Sequence, residues 1–146
     1  MKLSLLGLAF LLCLEEINVA ILKKLNKINL SLHFTLQEME RSQTAIRHGI
    51  INKGNIRQIK ALLDLCLNVL YPLRTLVRKS INIQSGFRNP TVNSFVGGSS
   101  TSQHMKGQAA DINVEGMTPT TLFDLIRNST IPYECIKKCG AITSPI

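Results

Sequence analysis

The chain has no tryptophan, and aromatic residues make up only 5% of its 146 positions. Its core must therefore be built largely from leucine and isoleucine. Stacking platforms for nucleic-acid bases are correspondingly few, and no nucleic-acid motif accompanies them. Acidic residues are also scarce, with 9 Asp and Glu against 17 Lys and Arg, a net charge of +8. There is no apolar run of the about 20 residues that a membrane span requires. Internal repeats and low-complexity stretches are absent as well, which excludes solenoids and disordered linkers. The four cysteines, Cys13, Cys66, Cys135 and Cys139, form no recognised spacing, so no disulfide framework is implied.

What is present suits one folded domain. Hydrophobic residues make up 45% of the chain, enough to bury a core at this length. Residues 1–30 hold Lys2, Lys23, Lys24 and Lys27 against Glu15 and Glu16, so most of the excess charge lies on the rest of the chain. That surplus favours anionic partners such as nucleic acid, anionic lipid or bacterial wall polymers. The alternative is that the basic side chains simply solvate helix faces.

The apolar run from Leu3 to Leu14 follows Lys2 and has the form of a secretory h-region, but Glu15 and Glu16 spoil the expected cleavage site. The other reading is an amphipathic helix continuing through Leu25. Residues 1–30 are accordingly treated as an N-terminal extension and residues 31–146 as the domain.

Along the domain, Thr35 followed by Glu38 forms a capping box. It predicts a helix that carries Leu36, Met39 and Ile46 on one face and ends at Gly49. A second helix starts near Asn55. Its Ile56, Ile59, Leu62, Leu63, Cys66, Val69 and Leu70 recur at the three- and four-residue spacing of a buried stripe. Pro72 should disturb that helix near its end. Ile81 and Ile83 alternate with polar neighbours, predicting a short strand into Ser85. Pro90 opens a short helix over Thr91 to Val96 that Gly97 and Gly98 end, and Ala109 to Val114 read as a second strand. Thr118-Pro119 begins a last helix containing Leu122, Leu125 and Ile126. Helices first and then mixed elements argue an α+β fold.

The residues richest in chemistry lie between Ser85 and Asp111. Ser102, His104, Gly107, Ala109 and Asp111 spell S-x-H-x-x-G-x-A-x-D. A neutral imidazole and a carboxylate are suitable zinc ligands, and Gly107 permits a sharp turn between them. On spacing alone, an exposed loop histidine and a turn-capping aspartate explain the pair better.

The wider pattern resembles the D-alanyl-D-alanine peptidases of the M15 metallopeptidase family, especially the small wall-lytic members of phages and bacteria. The blocks that carry the resemblance are Phe34-Thr35-Leu36-Gln37-Glu38 with Ser42 and Thr44-Ala45, Leu70-x-Pro72-Leu73-Arg74, and Ser85-Gly86-Phe87-Arg88. They continue in Asn93-x-x-Val96-Gly97-Gly98-Ser99 and in Ser102-Gln103-His104 through Asp111, covering residues 33–134.

The resemblance implies N-terminal helices packed on a small antiparallel sheet of the hedgehog/DD-peptidase kind, holding one Zn²⁺. It implies His104 and Asp111 as metal ligands, and Arg88 as the group that steadies developing negative charge or a substrate carboxylate. Ser102 would bind substrate or brace the loop. The implied substrates are peptidoglycan stem peptides, met in the periplasm, outside the cell or by a phage product. The implied state is a monomer with no nucleic-acid partner, and no membrane contact beyond the N-terminal signal-like run.

One departure stands out. Such a zinc site needs three protein ligands, a water and a base, and no histidine follows Asp111. His33 and His48 fall at helix ends, outside the family's ligand positions. Glu134 is the candidate acidic base, and Cys139 is a weak candidate thiolate ligand. The tail after Glu134 has no segment equivalent to a histidine-bearing strand, and its ending is read as a truncated or frame-shifted frame. Two functions therefore stand side by side: a zinc peptidase, inactive if the third ligand is truly missing, and a non-catalytic wall-binding module.

Overall fold

The computed structural model describes residues 14–16, 19, 20, 24, 27–133, 135, 136 and 141–143. The apolar run over 3–13 lies outside these residues, as do Glu134 and Cys139. Among the described residues no helix is long and apolar enough to cross a membrane.

Thr35 caps the first helix, α1 (Leu36–Glu40), as its capping box predicts. Its hydroxyl accepts from the Glu38 N–H, and the Glu38 carboxylate accepts from the Thr35 N–H at 2.9 Å. The helix then stops sooner than expected. Arg41 turns to an extended conformation and Ser42 caps a separate α2 (Gln43–Arg47), which Gly49 follows at φ +63°. The predicted single helix is two, and the rotation between them leaves Ile46 64% exposed. The local preference of Ser42 for capping outweighed a weak apolar repeat.

Asn55 and Gln58 form a second capping box at the start of α3 (Ile56–Leu65). The helical path continues through a π turn, Cys66–Leu70, into α4 (Tyr71–Val77). Pro72 therefore does not end the helix. It falls in the first turn of α4, where its missing N–H is tolerated and the widened π turn takes up the ring. Leu62, Cys66, Val69 and Leu70 of the expected stripe are fully buried, joined by Leu65 and Leu73; Ile59 and Leu63 are partly buried, and Ile56, in the first turn of α3, is 87% exposed instead. Cys66 behaves as a small hydrophobe; burial, and then the Glu38 charge, push its thiol up to about 12.

The sheet is antiparallel, in the order β1-β2-β4-β3. It comprises β1 (Ile81–Ser85), β2 (Ala109–Val114), β3 (Cys135–Ile136) and β4 (Ala141–Thr143). Between β1 and β2 lie α5 (Pro90–Phe95) and a 3₁₀ turn over Gln103–Lys106; α6 (Pro119–Arg127) follows β2. The arrangement is the expected α+β class. Ala110, Ile112 and Val114 of β2, with Ile81 and Ile142, join the helical stripe, Phe34, Met39, Phe87, Leu122 and Ile126 in one core. The alternate residues Asp111 and Asn113 point to the other face.

Two strands after Tyr133 complete the sheet where the tail shows no strand pattern in the sequence. β4 adds to the free side of β2, pairing Ala141 with Asp111 and Thr143 with Ala109. Neither strand carries a histidine.

Candidate functional site

Asp111 sits at the centre of β2, and its neighbours across the sheet decide what surrounds it. The β1–β2 register shifts between Ile83, opposite Ile112, and Ser85, opposite Asp111. Gln84 is thus an extra residue, a bulge of the kind that re-aims a side chain. It brings Ser85 into one row with Asp111 and, on the far side, Ala141.

The chain leaves β1 through Gly86, where there is no room for a side chain. A Cβ there would lie 2.3 Å from the Met39 carbonyl oxygen, which accepts the Phe87 N–H at 2.7 Å. This close approach to α1 aims Arg88 back across the sheet. Its Nε donates to the Ser85 hydroxyl at 2.9 Å, and one terminal nitrogen reaches Asp111 Oδ2 at 3.0 Å. The Arg88 side chain is mostly shielded, so the pair is better insulated than a surface ion pair.

His104 comes from the 3₁₀ turn above β2. Gly107 ends that turn at φ +75°, with its α-carbon so close to the Gln58 carbonyl that a Cβ would sit 2.5 Å from it. Gln58 also donates from its amide to the Met105 carbonyl at 2.9 Å, so α3 holds the turn at two points. The Arg88 N–H donates to the His104 carbonyl, tying the two functional segments together.

The imidazole is oriented by a second contact: His104 Nδ1 lies 2.7 Å from the Gly86 carbonyl oxygen. A carbonyl only accepts, so Nδ1 carries the hydrogen, and in the neutral ring the Nε2 lone pair is left facing Asp111. Nε2 and Asp111 Oδ2 are 3.6 Å apart, too long for a good hydrogen bond. Burial pushes the Asp111 carboxyl up, but the His104 ring when it carries a proton on Nε2, and then the Arg88 guanidinium, outweigh it and leave it below its ordinary 3.8.

These three side chains open onto a cleft of about 480 Å³, lined also by Gly98, Ser99, Ser102, Gln103, Ala109, Ala141 and Thr143. Buried Asn93 shapes the Gly98-Ser99 rim. Its amide donates to the Ser99 carbonyl at 2.9 Å, and a Cβ at Gly98 would collide with it at 2.2 Å. Ser102 precedes the 3₁₀ turn and lies on the cleft wall.

The chain matches the Peptidase M15 family over residues 32–138. It belongs to that family. None of the curated proteins compared with it matches. The M15 domain thus shares its family with enzymes that are generally zinc-dependent, and the donor set can be tested against that metal. His104 and Asp111 qualify as a pair. Their second contacts hold a metal-ready tautomer, and two tetrahedral ligands about 2.0–2.1 Å from zinc stand roughly 3.4 Å apart, close to the 3.6 Å seen. The set falls short of a catalytic site, however. Among the described residues no group of three His, Cys, Asp or Glu side chains is placed to hold a metal.

The remaining histidines of the M15 domain do not help. His33 stacks on Tyr71 with ring centres 6.0 Å apart, and His48, which ends α2, stacks on Phe95 at 4.2 Å. Neither lines the cleft. Glu134, expected as the base, and Cys139, the thiolate candidate, are outside the described residues.

Sequence reasoning assigned no role to Ser85, Gly86 or Asn52, and each matters here. Buried Asn52 donates to the Glu40 and Phe87 carbonyls at 2.7 and 2.9 Å and accepts the Asn89 N–H at 2.8 Å. It pins the Arg88 segment to the end of α1. Only the Ser85–Arg88 spacing in the sequence hinted at any of this.

Proposed function

We propose that this M15 domain takes peptidoglycan stem peptides into the cleft over β2, with His104 and Asp111 as zinc-binding residues and with hydrolysis weak or absent. The observation that carries the proposal is the convergence of Arg88 and His104 on one oxygen of Asp111, at the floor of a cleft walled by small polar residues. Stem peptides are short and end in a carboxylate. A guanidinium already held in place by the Ser85 hydroxyl is a suitable partner for that carboxylate. Ser99, Ser102 and Thr143 supply wall positions for hydrogen bonds to peptide amides. The net charge of +8 favours approach to an anionic wall.

Zinc, when bound in such a site, polarises a carbonyl and acidifies water. His104 and Asp111 would hold it; among the described residues no third donor joins them, and turnover needs three. The short donor set favours a second reading, a wall-binding module that does not cleave.

Purified peptidoglycan sacculi separate these readings. The chain is sedimented with sacculi, and the supernatant is analysed for released peptides by mass spectrometry. Binding that weakens in Arg88→Ala supports the proposal. Peptide release lost in His104→Ala would mark an active peptidase, and binding without release marks the module. No sedimentation of the parent chain, with no release, would reject both.

A further inference from the structure

The surroundings of Asp111 are occupied unequally. On the β1 side, Ser85 stands opposite it, and Arg88 fills the space by bonding to both residues. Above it, His104 supplies the second donor. On the β4 side stand Ala141, directly opposite, and Thr143, two residues on along the same face. Both line the cleft, while Ile142 between them is fully buried in the core. Directly opposed residues of an antiparallel pair have Cβ atoms about 4.5–5.5 Å apart and diagonal ones about 7–8 Å, within reach of a long side chain, so position 141 and, diagonally, position 143 are placed to share an ion with Asp111. What stands there is a methyl group and a short hydroxyl side chain.

We infer that His104 and Asp111 form a half-site whose missing donor direction lies over β4, at positions 141 and 143. The chain consequently binds zinc weakly, and one histidine on that face completes the set. The inference rests on His104 and Asp111 being zinc-binding residues. It goes further in naming the strand face that leaves the site incomplete. The β1 side is ruled out because the Arg88 guanidinium, a cation, already occupies it. A third histidine at 141 or 143 would approach from the opposite flank, leaving Arg88 in place.

The test is zinc affinity by chelator competition, with Co²⁺ absorption as a report of coordination geometry. The parent is compared with Ala141→His, Thr143→His, and each combined with Asp111→Ala, and circular dichroism checks the fold. The parent should bind weakly. At least one histidine variant should tighten binding by about 100-fold or more, the upper end of what outer-shell changes produce, and gain a tetrahedral Co²⁺ spectrum. Both gains should vanish with Asp111→Ala. Weak parent binding that neither histidine improves would overturn the inference while leaving the zinc pair intact. Tight stoichiometric binding by the parent, abolished by Cys139→Ser or Glu134→Gln, would overturn it by revealing another third ligand. Failure of every folded variant to bind zinc would remove the zinc pair itself.

Discussion

Replacing Gly86 with alanine adds one methyl group at the point where the sheet meets α1, and the structure fixes what that methyl meets. It would lie 2.3 Å from the Met39 oxygen and 3.0 Å from the Met39 carbonyl carbon and Cα. All three are backbone atoms, so no side chain can swing aside. Relief requires the end of β1 to move away from α1, which stretches the 2.7 Å Phe87–Met39 hydrogen bond. Overpacking costs about 1–3 kcal/mol, and a lost backbone hydrogen bond about 1 kcal/mol. The expected destabilisation is therefore about 3 kcal/mol, or roughly 6–12 °C in Tm for a chain of this size.

Gly49→Ala is the matched control. Gly49 has φ +63° and nothing within 4 Å of a new Cβ, so only the left-handed conformation is penalised, at about 1 kcal/mol. Urea unfolding of the two variants measures the difference directly. Because the Gly86 carbonyl also orients His104, Gly86→Ala should weaken zinc binding, and Gly49→Ala should not. If Gly86→Ala unfolds within 0.5 kcal/mol of the parent, or is no worse than Gly49→Ala, the close approach does not govern this corner and the reasoning fails.

Asn52→Ala strands two buried carbonyls and one N–H, and should destabilise by about 2–4 kcal/mol in urea unfolding. A value near 1 kcal/mol would mean water replaces the side chain. Thr35→Ala removes one capping box and should cost about 1 kcal/mol by the same assay, with the Tm of the parent recovered in Thr35→Ser. In a variant whose other cysteines are serine, Cys66 should resist iodoacetamide at pH 8 and react once urea unfolds the chain; labelling of the native protein would contradict its burial. Cys66 also makes stability fall as pH rises. The unfolded thiol ionises near 9.0 while the buried one keeps its proton to about 12, so the unfolded chain binds fewer protons across that window. Replacing Cys66 with alanine should flatten the alkaline decline in unfolding midpoint.

The parts of this fold that could be read from the sequence are those whose causes lie within a few residues. Thr35 with Glu38, and Asn55 with Gln58, make caps because an oxygen three residues away meets an exposed N–H. The α3 stripe and the alternation of β2 are set by the repeat of helix and strand. The S-x-H-x-x-G-x-A-x-D pattern likewise placed His104 on a turn that Gly107 closes and Asp111 on the strand after it. Where two local signals competed, the sequence was ambiguous. The apolar repeat ran through Arg41, yet Ser42 capped a new helix; Pro72 signalled a disturbance, and it came as a π turn that lets the helical path continue.

What only the tertiary structure decided are relations between residues far apart in the chain. The Gln84 bulge sets Ser85 beside Asp111, and Gly86 bends the chain against Met39 so that Arg88 returns to the sheet. Asn52 joins the end of α1 to Phe87, which lies 35 positions further along the chain from it. Above all, the register of β4 puts Ala141 and Thr143, rather than a metal donor, on the cleft face beside Asp111. The family resemblance implied His104 and Asp111 as ligands, and the sequence has no histidine after Asp111. Which strand face stands where a third donor would have to reach depends on backbone pairing, because pairing alone determines which side chains meet.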